Sequence, residues 1–245
     1  MRVARFVTTL VLTAHGSRDP RSAANARAVA CQVAGLRPGL DVRLAFCELN
    51  TPNLVDALNG LSGTGEAVVT PLLLANAYHA RVDIPGQIAS CGAGDRVWQA
   101  EVLGEDDRLV SVLRQRVTEL GVSRLDDRLG VLVVAIGSSD PAANARTTEV
   151  ARKLMAGTRW VGATTAFVTR PEPSLAEAAD RLRRRGARRV VIAPWFLAPG
   201  RLPDRVRSFA HDAGIAMAEP LGAHQLVAET VLDRFDQAAT QRIAA

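Results

Sequence analysis

The sequence predicts an α/β protein built from two similar domains, each a parallel sheet flanked by helices. Three observations carry this. Short apolar runs alternate with helical patterns along the whole chain, as strands joined by covering helices do. The alternation is written twice, in blocks that match in order at a spacing of about 120 residues. A chain of 245 residues with 48% hydrophobic and 22% charged side chains is long and apolar enough for two such cores.

In the first half, apolar runs at 6–14, 41–48, 66–74 and 96–101 are short and bounded by turn or capping residues, as buried parallel strands are. Helical patterns fill the intervals at 21–35, 52–60, 82–91 and 105–120. Asp19-Pro20 marks a helix start, a capping side chain with proline just inside. Strands are expected in the second half near 130–136, 161–168, 189–196 and 215–218, with helices near 141–156, 173–186, 202–213 and 223–241. The repeat boundary falls in the loop from Gly121 to Asp127, giving domains 1–122 and 123–245. In open parallel sheets ligands bind beyond the carboxyl ends of the strands, and two such domains facing each other would make a cleft.

Four block pairs define the duplication. VLTAHGSRDPRSAANAR (11–27) answers to VVAIGSSDPAANAR (133–146), and AFCELNTPNLVDAL (45–58) to AFVTRPEPSLAEAA (166–179). VVTPLLLANAYHARVDIP (68–85) answers to VIAPWFLAPGRLPDRV (191–206), and AEVLG (100–104) to AEPLG (218–222). Where the copies differ in chemistry they show which one works. His15 aligns with Ile136, Glu48 with Thr169 and His79 with Leu202, each just beyond a strand. Taken singly, each is more often a structural histidine or a solvated acid. Three such residues at three equivalent strand ends, all replaced in the other copy, point to one shared site in the first half. Two imidazoles and a carboxylate suit a divalent first-row metal with open positions, and the same groups can accept protons near neutral pH. With no fourth strong ligand, the metal would be held loosely. His211 and His224 lie in or beside second-half helices and read as structural.

Charge is less ordinary than composition. Thirty Lys and Arg against 25 acids give +5, and Lys153 is the single lysine, so the positive charge is almost all guanidinium. Coding bias explains most of it. A functional share would suit a partner bearing carboxylates or phosphates. Nucleic acid is not expected: the arginines are interspersed with acids, the run RLRRRGARR (181–189) sits on a predicted helix end, and aromatics are 4%. Three cysteines without a CxxC pair imply a reduced, cytoplasmic chain. The apolar run near the N-terminus reads as a first strand, not a leader, because Thr8 and Thr9 interrupt it and it runs straight into a motif. No segment reaches the ~18 apolar residues of a membrane span.

HGSRDP after a first strand, AFCELNTPNL, and PLLLANAYHARVDIP resemble the sirohydrochlorin chelatases, class II chelatases of the cobalamin and sirohaem pathways. The resemblance covers nearly the whole chain, in the long two-domain form. It implies a chelatase-like fold and insertion of Fe²⁺ or Co²⁺ into sirohydrochlorin with release of two protons, the metal being a substrate and no cofactor permanently bound. His15 and His79 match that family's metal-binding and catalytic histidines, and Glu48 its acidic residue more loosely. Ala77 stands where the family usually has glycine, and no His-rich tail or iron–sulfur cysteine cluster is present. The substrate's rim of carboxylates would suit Arg18, Arg21, Arg81 and Arg201, with Ser17 and Asn76 supporting the loops. Asp83 reads as a cap for the following helix. A chain holding both copies needs no second one, so a monomer is expected. The competing readings are a non-catalytic two-domain protein that binds metal or tetrapyrrole, and phosphoryl transfer on a histidine. The latter wants arginine before the histidine, where Ala14 stands.

Overall fold

The computed structural model describes residues 9–61, 65–169 and 173–244. Two four-stranded, wholly parallel sheets are present among them. The first is built from β1 (Thr9–Ala14), β2 (Asp41–Phe46), β3 (Ala67–Pro71) and β4 (Val97–Gln99), in the order β2-β1-β3-β4. The second repeats that order as β6-β5-β7-β8, from β5 (Leu129–Ala135), β6 (Gly162–Phe167), β7 (Arg189–Pro194) and β8 (Ala216–Met217). Every strand in the described residues falls on a run that the sequence predicts, β5 starting one residue before its run at Leu129. The start of the first run, before Thr9, falls outside them.

Among the described residues eight α-helices flank the sheets: α1 (Pro20–Leu36), α2 (Leu54–Asn59), α3 (Ile84–Ser90), α4 (Asp107–Thr118), α5 (Pro141–Met155), α6 (Leu175–Arg184), α7 (Arg201–Asp212) and α8 (Gln225–Ala244). The start predicted at Asp19-Pro20 is met by the expected chemistry, and α5 and α6 are capped in similar ways. The Asp19 and Asp140 side chains accept from the backbone N–H groups of Arg21 and Ala142, each with proline at the first helical position. Ser174 and Glu177 form a reciprocal capping box at α6.

Both faces of each sheet are buried, which is why the strands read as continuous apolar runs. In the first sheet Val11, Ala45 and Val69 pack against Leu54 and Leu58 of α2 and Ile84 of α3. The alternating residues Leu10, Leu12 and Val68, fully buried, face the other side, which α1 and α8 cover. In the second sheet Leu132, Val134 and Ile192 pack against Ala178 and Leu182 of α6 and Val206 of α7, while α4 and α5 lie on the opposite face.

The compact units do not follow the repeat boundary at 122/123. One comprises residues 1–104 and 223–245, the other residues 105–222. The helix that ends each repeat is therefore exchanged: α8 belongs with the first sheet and α4 with the second. Within the first unit the exchange is tied down by polar contacts. Arg37 at the end of α1 forms a two-pronged ion pair with Asp236 of α8, at 2.5 and 2.7 Å. Arg234 of α8 donates to the carbonyls of Val102 and Leu103, at 3.0 and 3.1 Å. Periodicity finds helices but not the sheet each will cover, because the two sheets offer similar apolar faces.

Leu109, Val110, Val112, Leu113 and Val117 of α4 are all buried. At roughly 2 kcal/mol each, an upper estimate, their burial is worth on the order of 10 kcal/mol, comparable with the whole stability of a small domain. A fragment spanning 105–222 is therefore expected to unfold cooperatively on heating. A fragment cut at the repeat boundary, 123–245, should aggregate or unfold without a transition. Circular-dichroism melts of the two decide it, and equally cooperative behaviour would show that the exchange contributes nothing.

Candidate metal centre

β1, β2 and β3 are neighbours in the first sheet, so the loops leaving their carboxyl ends share one edge. His15 directly follows β1, and Glu48 stands two residues past β2. Two backbone bonds carry the strand pairing past its end: Cys47 N–H donates to the Ala14 carbonyl (2.9 Å) and Glu48 N–H to that of His15 (3.0 Å). Only glycine fits between them. Gly16 has φ +101°, and a Cβ there would lie 1.8 Å from the Glu48 carbonyl oxygen. The Ser17 N–H closes the loop by donating to Asn50 Oδ1 at 2.7 Å.

His79 comes from the other side, at the start of a single π-helical turn, His79–Asp83, that runs into α3. Residues four apart on a helix share a face, and His79 Nδ1 lies 2.5 Å from Asp83 Oδ2. Asp83 makes no side-chain cap bond to α3. The expected cap is thus corrected to a carboxylate partner for the histidine. The His-x-x-x-Asp spacing was the signal that could have found it.

The two rings meet edge to face, centroids 4.0 Å apart at 82°. His15 Nε2 and His79 Nε2 are 2.9 Å apart, and Glu48 Oε1 is 3.4 Å from His15 Nε2. Each outer nitrogen faces an acceptor: His15 Nδ1 the Gly16 carbonyl at 2.9 Å, His79 Nδ1 the Asp83 carboxylate. Both must donate there, so on neutral rings both Nε2 atoms turn lone pairs toward one point. Two lone pairs at that distance demand a cation between them, a proton or a metal ion. Metal–nitrogen bonds of about 2.1 Å place two adjacent octahedral donors roughly 3.0 Å apart, close to the observed separation. Among the described residues no group of three or more His, Cys, Asp or Glu is closed around such a point. The centre is a two-nitrogen site with a carboxylate alongside, and it is open: the His15 side chain is 35% exposed and that of Glu48 55%.

Neighbouring groups divide sharply. Burial, helped by the charges of Asp83 and Glu48, pushes the Cys47 thiol up to about 11, so it stays protonated and outside the donor set. Arg21 spends its guanidinium on Asp19, at 3.0 and 2.6 Å. Arg18 is exposed in the His15 loop. Arg81 Nε donates to Asn76 Oδ1 at 3.3 Å, beside a cleft of about 1090 Å³ whose lining also includes Trp98, Gln99 and Arg242. His15 and Glu48 do not line that cleft, so volume alone would have misplaced the site. Ser17 Oγ accepts from Asp19 N–H at 3.0 Å. Arg201 opens α7, exposed, in the other unit. His224 Nδ1 accepts from Leu226 N–H at the start of α8.

The second copy keeps the backbone and lacks the chemistry. Val168 and Thr169 donate to the carbonyls of Ala135 and Ile136 at 2.9 Å each, reproducing the bonds at Cys47 and Glu48. The Thr169 hydroxyl turns inward to the Ile136 carbonyl at 2.6 Å. These contacts make Gly16→Ala a sensitive probe of the first copy. The added methyl must push the His15 and Glu48 loops apart, costing more than ~1 kcal/mol at a positive φ. The variant is expected to melt lower and to bind Co²⁺ more weakly by titration, and a variant unchanged in both would show that the loops can slide freely.

Comparison with known proteins finds relatives over nearly the whole chain. The model of the CbiX family matches twice, over residues 9–120 and 130–238. A sirohydrochlorin ferrochelatase of Priestia megaterium is 29% identical over 212 residues, covering 82% of this chain and 77% of that protein. A sirohydrochlorin cobaltochelatase of Sulfurisphaera tokodaii is 34% identical over 115 residues, which are 45% of this chain but 92% of that one, as a single-copy relative of a duplicated chain would be. Among solved structures, SirB from Bacillus subtilis with Fe³⁺ has the same fold, with a TM-score of 0.82 over 96% of this chain and 97% of that chain at 23% identity. The doubled parallel sheet is thus the fold of a chain that belongs to the CbiX family.

Proposed function

We propose that this protein is a chelatase that inserts a divalent first-row metal, Fe²⁺ or Co²⁺, into sirohydrochlorin. The single observation that carries this reading is the pair of imidazole lone pairs converging on one open point, in a chain of the CbiX family.

The reaction exchanges two inner N–H protons of the macrocycle for one metal ion and needs no electron transfer. Each step has a matching feature. A hydrated ion must shed water before four ring nitrogens can take it, and two nitrogen donors on one side displace water while leaving the opposite positions free. The donors must then release the ion, and a site without a third closed ligand binds loosely enough to do so. Two protons must leave. Once the metal has gone, the vacated Nε2 lone pairs and the half-exposed Glu48 carboxylate are the acceptors within reach, with solvent beyond. Asp83 holds the His79 ring in the tautomer that keeps Nε2 free.

The surface around the histidines suits a broad apolar ring. Leu49, Tyr78 and Val82 are 55%, 62% and 49% exposed, and each adjoins a site residue in sequence: Glu48, His79 and Asp83. Leu49 is also held at φ 63°, a left-handed conformation that leucine rarely adopts. A strained, exposed leucine beside the site is costly unless something covers it. The macrocycle face is the proposed cover, and Arg18 and Arg81 would meet its carboxylates.

The direct test is anaerobic sirohydrochlorin mixed with Fe²⁺ or Co²⁺, following the absorption change on metallation. Wild type should outpace the metal-only blank, and His15→Ala or His79→Ala should each cut the rate by about 10² or more. A wild-type rate equal to the blank overturns the reading. Leu49→Gly gives a second, opposed signature. It should raise stability by about 1 kcal/mol through relief of the left-handed backbone, while raising the KM for the macrocycle and leaving the KM for metal unchanged. A Leu49→Gly enzyme with an unaltered macrocycle KM would remove the apolar seat from the proposal.

A further inference from the structure

The π-turn that carries His79 has a defect built in by sequence, and one side chain repairs it. Pro85 has no N–H, and its ring would clash with the carbonyl four residues back, so a regular α-helix cannot run through this position. The turn widens instead: Ile84 N–H bonds to the His79 carbonyl, five residues back. The Ala80 carbonyl then has no donor from position 84, whose N–H is spent, nor from position 85, which has none. Ala80 is 4% exposed, so water is a poor substitute. Gln99, at the end of β4, fills the gap: its Nε2 donates to the Ala80 carbonyl at 2.7 Å.

We propose that Gln99 is a positioning residue for His79, supplying the donor that Pro85 removes and thereby fixing the direction of the His79 imidazole. The inference rests on the reading of His79 as a metal donor, and the internal duplication supports it independently. By strand register Gln99 stands opposite Val69 in β3 as Met217 stands opposite Ile192 in β7. At the spacing that aligns His79 with Leu202, Pro85 aligns with Ser208, in the middle of the regular helix α7. The copy without the histidine thus lacks a proline at that position, the π-turn and the amide together; its Pro203 lies in the first turn of α7. The amide also carries a cost that methionine does not, because Gln99 Oε1 is buried without a hydrogen-bond partner. What the position gains from glutamine is its donor.

The chain of contacts is short. Gln99 anchors the carbonyl of the residue after His79, the turn sets the spacing from His79 to Asp83, and Asp83 orients Nδ1 so that Nε2 meets that of His15. Loss of the anchor should loosen the ring without touching metal or macrocycle directly.

The test reads the histidine nitrogens by NMR in the metal-free protein, where only four histidines contribute. In wild type His79 should hold a single state that keeps its proton on Nδ1, toward Asp83. In Gln99→Met, and in Gln99→Glu, which keeps the shape but has no donor, it should become a mixture while His211 and His224 are unchanged. Co²⁺ titration of the same variants should show affinity reduced about tenfold, the scale of losing a group that orients a ligand, with the KM for the macrocycle unchanged. Pro85→Ala restores a backbone N–H, so Gln99→Met in that background should lose most of its effect. Unchanged His79 signals in both Gln99 variants, or an equal effect with and without Pro85, would overturn the proposal. Since the nitrogen signals are read without substrate, failure of the metal-insertion reading would appear in the activity assay and leave this comparison standing.

Discussion

Two imidazole lone pairs facing each other across 2.9 Å repel unless a positive charge lies between them, and the loops of the first unit enforce that encounter. Neither ring can escape by changing tautomer without abandoning a bond. His15 would lose the Gly16 carbonyl, and His79 would lose the Asp83 carboxylate. The preference for a cation is therefore a property of the backbone and not of the histidines alone. Gly16, through its positive φ and its closeness to the Glu48 carbonyl, sets one side of the encounter, and the π-turn sets the other. The parallel sheet makes both possible by bringing three strand ends to one edge.

The internal duplication separates what the fold needs from what the site needs. Both copies keep the strand order, the aspartate caps, the bonds that extend the first strand pair, and a positive-φ glycine after each first strand, Gly16 and Gly137. These serve folding. The second copy replaces the histidines and the carboxylate with Ile136, Leu202 and Thr169, and it replaces an irregular turn with a regular helix. Irregular backbone costs stability and persists where a function holds it in place. The copy without the histidines has the regular geometry, which supports the proposal that the irregular turn serves the site.

Much of this was legible in the sequence, for physical reasons. Buried parallel strands and capped helices leave periodic and compositional marks within a few residues, so the positions of β1 to β8 could be read along the chain. His15, Glu48 and His79 stood out because each follows a strand and each is absent from the matching block. Other features depend on partners distant in sequence and leave no such mark. Whether α4 and α8 cover their own sheet or the other is decided by competition between similar apolar faces. Gln99 and Ala80 meet only because β4 lies beside β3. Asp83 departs from expectation for a different reason: an aspartate before Ile-Pro is a good cap on local grounds, and its acceptor role toward His79 outweighs that local preference.

The exposure of the centre bears on why such a site is built from so few ligands. A structural metal site closes four donors around its ion, and each added donor slows release. In the proposed centre two nitrogens would fix a position, with a carboxylate oxygen 3.4 Å from one of them and the remaining positions open. An ion held this way would be bound tightly enough to be placed and weakly enough to be taken by a macrocycle offering four nitrogens in a plane. The same openness explains the poor discrimination expected between neighbouring divalent ions, because two imidazoles and a carboxylate differ little in their preference for iron or cobalt. Any selectivity must then come from what surrounds the donors and not from the donors themselves. In this chain the candidates are the His79 turn, anchored by Gln99, and the exposed apolar residues Leu49, Tyr78 and Val82.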